Sequence, residues 1–246
     1  MLASHSFDAI VPAPGATTFV VAPVLPASSP ASQVAIAMPS RDEAALADLL
    51  RHPGIWRRGT KPGPSGTAQP TGVAELDALL PDGGWPRGAL SEILVEHDGI
   101  GECSLLLPAL AALTQARQRV VLVAPPYIPY APAFAEAGID LAQLVQIDAG
   151  AADTHWTAEQ CLRAGCCGAV LNWLPQADYR QLRRLQLAAE TGTAIGFIFR
   201  PLSAATQTSP AALRLKLTGT EQGPRIEILK CRGNLRNGSQ VIRRRA

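Results

Sequence analysis

The sequence predicts an α/β protein: a mostly parallel sheet with helices on both faces and a C-terminal antiparallel hairpin. Three observations carry this reading. Short apolar runs recur between residues 70 and 200, with stretches of helical period between them. The runs are apolar on consecutive positions rather than alternating, as strands covered on both faces must be. After residue 200 two runs change to period two and are joined by Gly219–Pro224, the signature of an antiparallel hairpin on a sheet edge.

Residues 1–39 read as a disordered leader, rich in alanine and proline, with Asp8 as its formal charge and no sustained apolar period. Phe19-Val20-Val21 is its one apolar patch of note. Residues 40–56 read as an amphipathic helix. Ser40 and Glu43 fit a capping box, Leu46, Leu49 and Leu50 share one face, and His52-Pro53-Gly54 ends it before Ile55 and Trp56. That helix either packs back on its own domain or docks on a partner through Leu46, Leu49, Leu50 and Trp56. Residues 57–69 read as a linker and 70–232 as the core.

Within the core, Thr71 is expected to cap a short helix with Val73, Leu76, Leu79 and Leu80 on its apolar face. Strands are expected at Leu90–Val95, Arg119–Ala124, Leu144–Asp148, Gly168–Asn172 and Ala194–Phe199. Helices are expected at about 102–116, 130–137, 156–165 and 178–191, and the hairpin at Leu213–Thr218 and Arg225–Lys230. Residues 233–246 read as a basic tail.

Composition narrows the function classes. Of 246 residues, 47% are apolar and 17% charged, with a net charge of +2. That excludes a wholly disordered chain and a strongly basic coat for nucleic acid. The longest apolar run, Ser104 to Leu113, contains Pro108 and is too short to span a bilayer. With no basic n-region at the start, the expectation is a cytoplasmic protein without a membrane role. The five cysteines form no Cys-x-x-Cys pair, so buried, reduced thiols are expected and no metal site.

The chemically informative segment is 70–103. A Thr-Gly, a Leu-Asp on a short helix, a glycine turn and a strand lead into Glu96-His97-Asp98-Gly99-Ile100-Gly101-Glu102-Cys103. A phosphate-binding loop in this position reads GxxxxGK[ST]: backbone amides cradle phosphate, Lys neutralises it and Ser/Thr holds magnesium. Here Glu96 replaces the first glycine, Glu102 the lysine and Cys103 the hydroxyl residue, while Gly101 survives. One charge pair at about 4 Å and an effective dielectric of about 20 is worth roughly 4 kcal/mol, and Glu for Lys reverses its sign. A neutral thiol is also a poor ligand for a hard cation. The strand Val121–Ala124 leads into Pro125-Pro126-Tyr127 and offers no glutamate to orient a water, and Asn172 in the apolar run 169–173 carries no charge for magnesium. No G-x-S-x-G elbow or H-E-x-x-H motif occurs. The expectation is a non-enzyme with no bound cofactor, nucleotide or metal.

Thr71, Gly72, Leu76, Asp77, Gly83, Gly84, Gly88, Glu92 and Ile93 resemble the entry to the ATPase core of the RecA recombinase superfamily. The resemblance implies a RecA-like P-loop NTPase fold with a degenerate loop. HPGIWR (52–57), GGWPRGALSEIL (83–94), APPYIPYAPAFAEAGIDL (124–141), GAVLNWLP (168–175), GFIFRP (196–201) and SPAALRLKL (209–217) narrow it further. Together these look like the ImuA family of translesion accessory proteins, over residues 46 to about 232. ImuA proteins are related to SulA, a non-hydrolysing inhibitor that binds the tubulin-like division protein. The resemblance implies expression in the DNA-damage (SOS) response. It also implies assembly of an error-prone complex with an ImuB-like Y-family polymerase homologue and a replicative-type polymerase, with RecA a further candidate partner. The alternatives are a SulA-like inhibitor of cell division and a DNA-dependent ATPase.

Further binding candidates come from the residues themselves. Tyr127 and Tyr130, in a proline-rich loop at a strand's carboxyl end, either form an exposed aromatic hot spot or close the core's edge. Arg180, Arg183 and Arg184 crowd one side of the helix 178–191, as a solvated face or as a contact for an acidic partner or DNA. Residues 225–246 carry a net +6. Arg243, Arg244 and Arg245 there are either a weak, non-specific DNA footprint or a solubilising tail.

Overall fold

The computed structural model describes residues 68–80, 82–220 and 224–233, and the backbone of 241–243. The leader, the expected helix with Leu46, Leu49, Leu50 and Trp56, and most of the linker lie outside the described residues. So do Arg244, Arg245 and the Arg243 side chain.

A two-stranded antiparallel pair, β1 (Ala68–Gln69) and β2 (Trp85–Pro86), brackets the short helix α1 (Ala74–Leu79). Thr71 does not cap that helix, which starts after Val73 with no side-chain cap. The Thr71 hydroxyl instead accepts the Val73 amide at 3.0 Å, and the Asp77 carboxylate accepts the Thr71 amide at 2.9 Å. The side chains of the Thr-Gly and Leu-Asp pairs thus close the entry turn on itself.

The main sheet has eight strands in the order β10-β9-β8-β3-β7-β6-β4-β5. Their ranges are β3 (Ala89–Val95), β4 (Arg119–Val123), β5 (Leu144–Ile147), β6 (Cys167–Trp173), β7 (Ile195–Pro201), β8 (Leu213–Thr218), β9 (Arg225–Cys231) and β10 (Val241–Arg243). From β8 to β5 every neighbouring pair is parallel, while β8–β9 and β9–β10 are antiparallel. The fold is therefore mixed α/β with a mostly parallel sheet and a C-terminal antiparallel part. That part has three strands rather than two, because Val241–Arg243, expected in the tail, pairs with β9.

The connecting helices are α2 (Glu102–Gln115), α3 (Ala131–Glu136), α4 (Thr154–Arg163) and α5 (Tyr179–Gly192). Leu105, Leu106, Leu110 and Leu113 of α2 join Leu76, Trp85, Ile93 and Phe197 in one core layer. Leu162 of α4 and Leu182, Leu185 and Ala189 of α5 join Leu90, Val121, Val170 and Ile198 in the other. Trp85 and Phe197 meet edge to face, centroids 5.1 Å apart, a geometry worth about 1 kcal/mol beyond burial. All of β3 and all of β7 except Pro201 are buried, with Ser91, Glu92 and Arg200 enclosed among the apolar positions. Among the described residues, no helix is long and apolar enough to cross a membrane.

Candidate functional site: an acidic loop beside an exposed aromatic patch

The loop after β3 turns through Gly99 (φ 87°) and Gly101 (φ 99°) into the N-terminus of α2. These backbone angles are costly for any residue with a Cβ. Glu102 is the first residue of α2 and is only 7% exposed. Its Oε1 accepts the Gly99 amide at 2.9 Å, while its Oε2 has no hydrogen-bond partner. A carboxylate of the chain itself thus takes up a loop amide that would otherwise be open to an anion. Cys103 follows; burial, then the charges of Glu102 and Asp98, push its thiol up to about 12, so it is neutral at pH 7. Glu96 and Asp98 are exposed at the loop's rim.

The structure brings this loop together with Tyr127. Asp98, Gly99, Gly101, Glu102, Cys103, Ser104 and Tyr127 line an open cleft of about 420 Å³. Tyr127 is 69% exposed and Tyr130 70%, so neither closes the core. Ile128 between them is 92% exposed, and its contribution to the patch was not read from the sequence. Its signal was present, as an apolar residue in a run of prolines and tyrosines that no periodicity assigns to a core. Ala124, at the base of this loop, has φ 45° and donates its amide to the Ile147 carbonyl at 2.9 Å.

The arginines on α5 are elsewhere. Arg184 lies 2.6 Å from the buried Glu159 carboxylate of α4, which Arg163 also contacts at 2.7 Å. Arg184 is therefore a tie between helices as well as part of a basic face; Arg180 and Arg183 remain exposed. Asn172 is buried on β6, donating to the Thr154 carbonyl at 3.4 Å with its Oδ1 unpartnered. The cysteines are all free, but they are not uniformly buried as expected: Cys166 is exposed and the other four half-buried. Among the described residues, no group of three or more His, Cys, Asp and Glu is placed to hold a metal ion.

Sequence reasoning missed a buried ionic network. Glu92 on β3 contacts Arg214 on β8 at 2.6 Å and Arg200 on β7 at 3.4 Å, and accepts from Ser209 Oγ at 2.8 Å. Arg200 also donates to the Ala177 carbonyl and Gln207 Oε1; Arg214 donates to the carbonyls of Ala204, Ala205 and Gln207. The available signal was a charged residue inside each of three apolar strands, since a buried charge needs a partner.

Comparison with known proteins decides the relationship. The family model described as "Cell division inhibitor SulA" matches residues 88–196, from the start of β3 into β7. This chain is related to SulA. A SulA from Photorhabdus laumondii is 37% identical over 82 residues, covering 33% of this chain and 46% of that protein. One from Serratia marcescens is 29% identical over 121 residues, 49% of this chain and 72% of that protein. The chain thus spans about half of the P. laumondii SulA. The crystal structure of SulA from Pseudomonas aeruginosa is 25% identical, covering 45% of this chain and 97% of that one, with a TM-score of 0.39. The matched region contains the loop, the cleft and the Tyr127–Tyr130 patch. The family match and the two relatives overturn the expectation of a translesion polymerase assembly factor. The family model and both relatives are cell division inhibitors, which favours the alternative of a SulA-like inhibitor.

Proposed function

We propose that this protein is a non-enzymatic inhibitor of cell division that acts by protein–protein contact. The observation that carries the reading is the SulA match over residues 88–196, within which Tyr127, Ile128 and Tyr130 form an exposed apolar patch. Contiguous exposed aromatics at a loop are unusual on a surface that meets water alone, and aromatic residues dominate binding hot spots. The partner this implies is the tubulin-like division protein, and expression belongs to the SOS response. The scaffold is a RecA-like P-loop fold whose loop has lost its nucleotide chemistry. The carboxylate of Glu102 against the Gly99 amide and the neutral Cys103 thiol support this. Common descent with ImuA proteins is part of the same proposal.

Expression in rod-shaped bacterial cells tests the reading. The expected result is long, septum-free filaments, and normal lengths for a folded Tyr127→Ala/Ile128→Asp variant. Cells of normal length at confirmed expression of folded wild-type protein would overturn it.

A further inference from the structure

We infer that the acidic loop is an acceptor for a basic side chain, a lysine or arginine presented by the protein partner. The phosphate position has been converted into a cation site.

The cleft lining holds two carboxylates, Asp98 and Glu102, the aromatic ring of Tyr127, and no lysine or arginine. Glu102 lines the cleft with only 7% of its surface exposed, and its Oε2, closed off from solvent, has no hydrogen-bond donor. A buried carboxylate oxygen with no partner costs free energy in the unbound protein, and a cation brought to the cleft recovers part of that cost. Asp98 is exposed at the rim, where it can pair directly with an incoming ammonium or guanidinium. Tyr127 stands on the same cleft with most of its surface open, and the face of an aromatic ring attracts a cation. Burial is the main cause of the raised Cys103 thiol, and Glu102 and Asp98 add to it in the same direction.

The opposing contribution is the N-terminus of α2, equivalent to about half a positive charge. Two carboxylates in the lining and a third, Glu96, at the rim outweigh it. A metal ion is the poorer fit, since hard cations take six or more oxygen ligands and no cluster of three or more ligating side chains lies here among the described residues. The inference rests on the proposed division-inhibitor reading for the identity of the partner, not for the chemistry of the cleft.

The first arm of the test needs no partner. Ac-Gly-Arg-Gly-NH2 is titrated into the full chain while NMR follows Gly99, Glu102 and Tyr127, with Ac-Gly-Glu-Gly-NH2 and magnesium chloride as controls. The arginine peptide is expected to shift those three signals. The Asp98→Asn/Glu102→Gln variant should bind it at least tenfold more weakly. The glutamine amide oxygen introduced by Glu102→Gln still accepts from the Gly99 amide, and Asp98 is exposed, so each single change leaves the loop's hydrogen bond available. Equal response in wild type and variant, an equal response to the glutamate peptide, or a stronger response to magnesium would overturn the inference. In the second arm, the variant should bind the division protein at least tenfold more weakly, and raised salt should narrow the gap. If wild type does not bind the division protein but the arginine peptide behaves as expected, the functional reading fails and the cleft assignment stands.

Discussion

Glu92 and Arg214 are cross-strand neighbours on β3 and β8, with Oε2 and Nε 2.6 Å apart and both side chains shielded from water. One carboxylate serves two buried guanidiniums here, because Arg200 reaches its other oxygen. The carbonyls of Ala177, Ala204, Ala205 and Gln207 take up further guanidinium donors, while Arg200 Nε stays buried without a partner. The network pins the loop after β7 to the centre of the sheet.

Replacing Glu92 with Gln should destabilise the protein by about 3–5 kcal/mol, because it strands two positive charges in the interior. Urea unfolding read by tryptophan fluorescence measures this. A loss below about 1 kcal/mol would mean that the carbonyls alone compensate the arginines.

The thiols make a second prediction. Burial foremost raises Cys103 to about 12 and Cys231 and Cys161 to about 11, from an ordinary 9.0. In the folded state they stay neutral where the unfolded chain ionises. Their contribution to stability is therefore complete below pH 9 and is lost as pH rises from there towards 11–12. Iodoacetamide at pH 8 should label exposed Cys166 first in the native protein, and the half-buried thiols more slowly until denaturant is added. Labelling of Cys103 as fast as Cys166 at pH 8 would contradict its raised pKa.

The loop makes a third. Neither ATP turnover nor ATP binding tighter than millimolar, a threshold of about −4 kcal/mol, is expected. Isothermal titration with ATP and magnesium checks this, and micromolar binding lost on mutating Gly101 would reverse the assignment.

If the C-terminal arginines touch DNA, binding is sequence-independent and driven by counterion release. Changing Arg243, Arg244 and Arg245 to Ala should then shallow the slope of log K against log salt on duplex DNA by up to about 2.7 units. Unchanged slope and affinity would assign these residues to solubility. Arg184, tied to Glu159, is expected to contribute less than Arg180 and Arg183.

The sequence by itself determined the elements and much of the loop chemistry. Predominantly apolar runs such as Ala89–Val95, despite Ser91 and Glu92, become buried parallel strands because their side chains are covered on both faces of the sheet. Glu96, Asp98 and Glu102 make their loop acidic whatever surrounds it. Local pattern does not encode which strands meet. That β8 lies parallel to β3, placing Arg214 opposite Glu92, depends on pairing across more than a hundred residues. The same holds for Tyr127, which follows β4 yet lines a cleft with Asp98 after β3, although β7 and β6 lie between those strands. Thr71, which reads as a helix cap, was claimed instead by the turn that Asp77 closes, since the same hydroxyl satisfies either arrangement locally. Periodicity fixes which face a residue takes; only the packed sheet decides which distant residue it finds there.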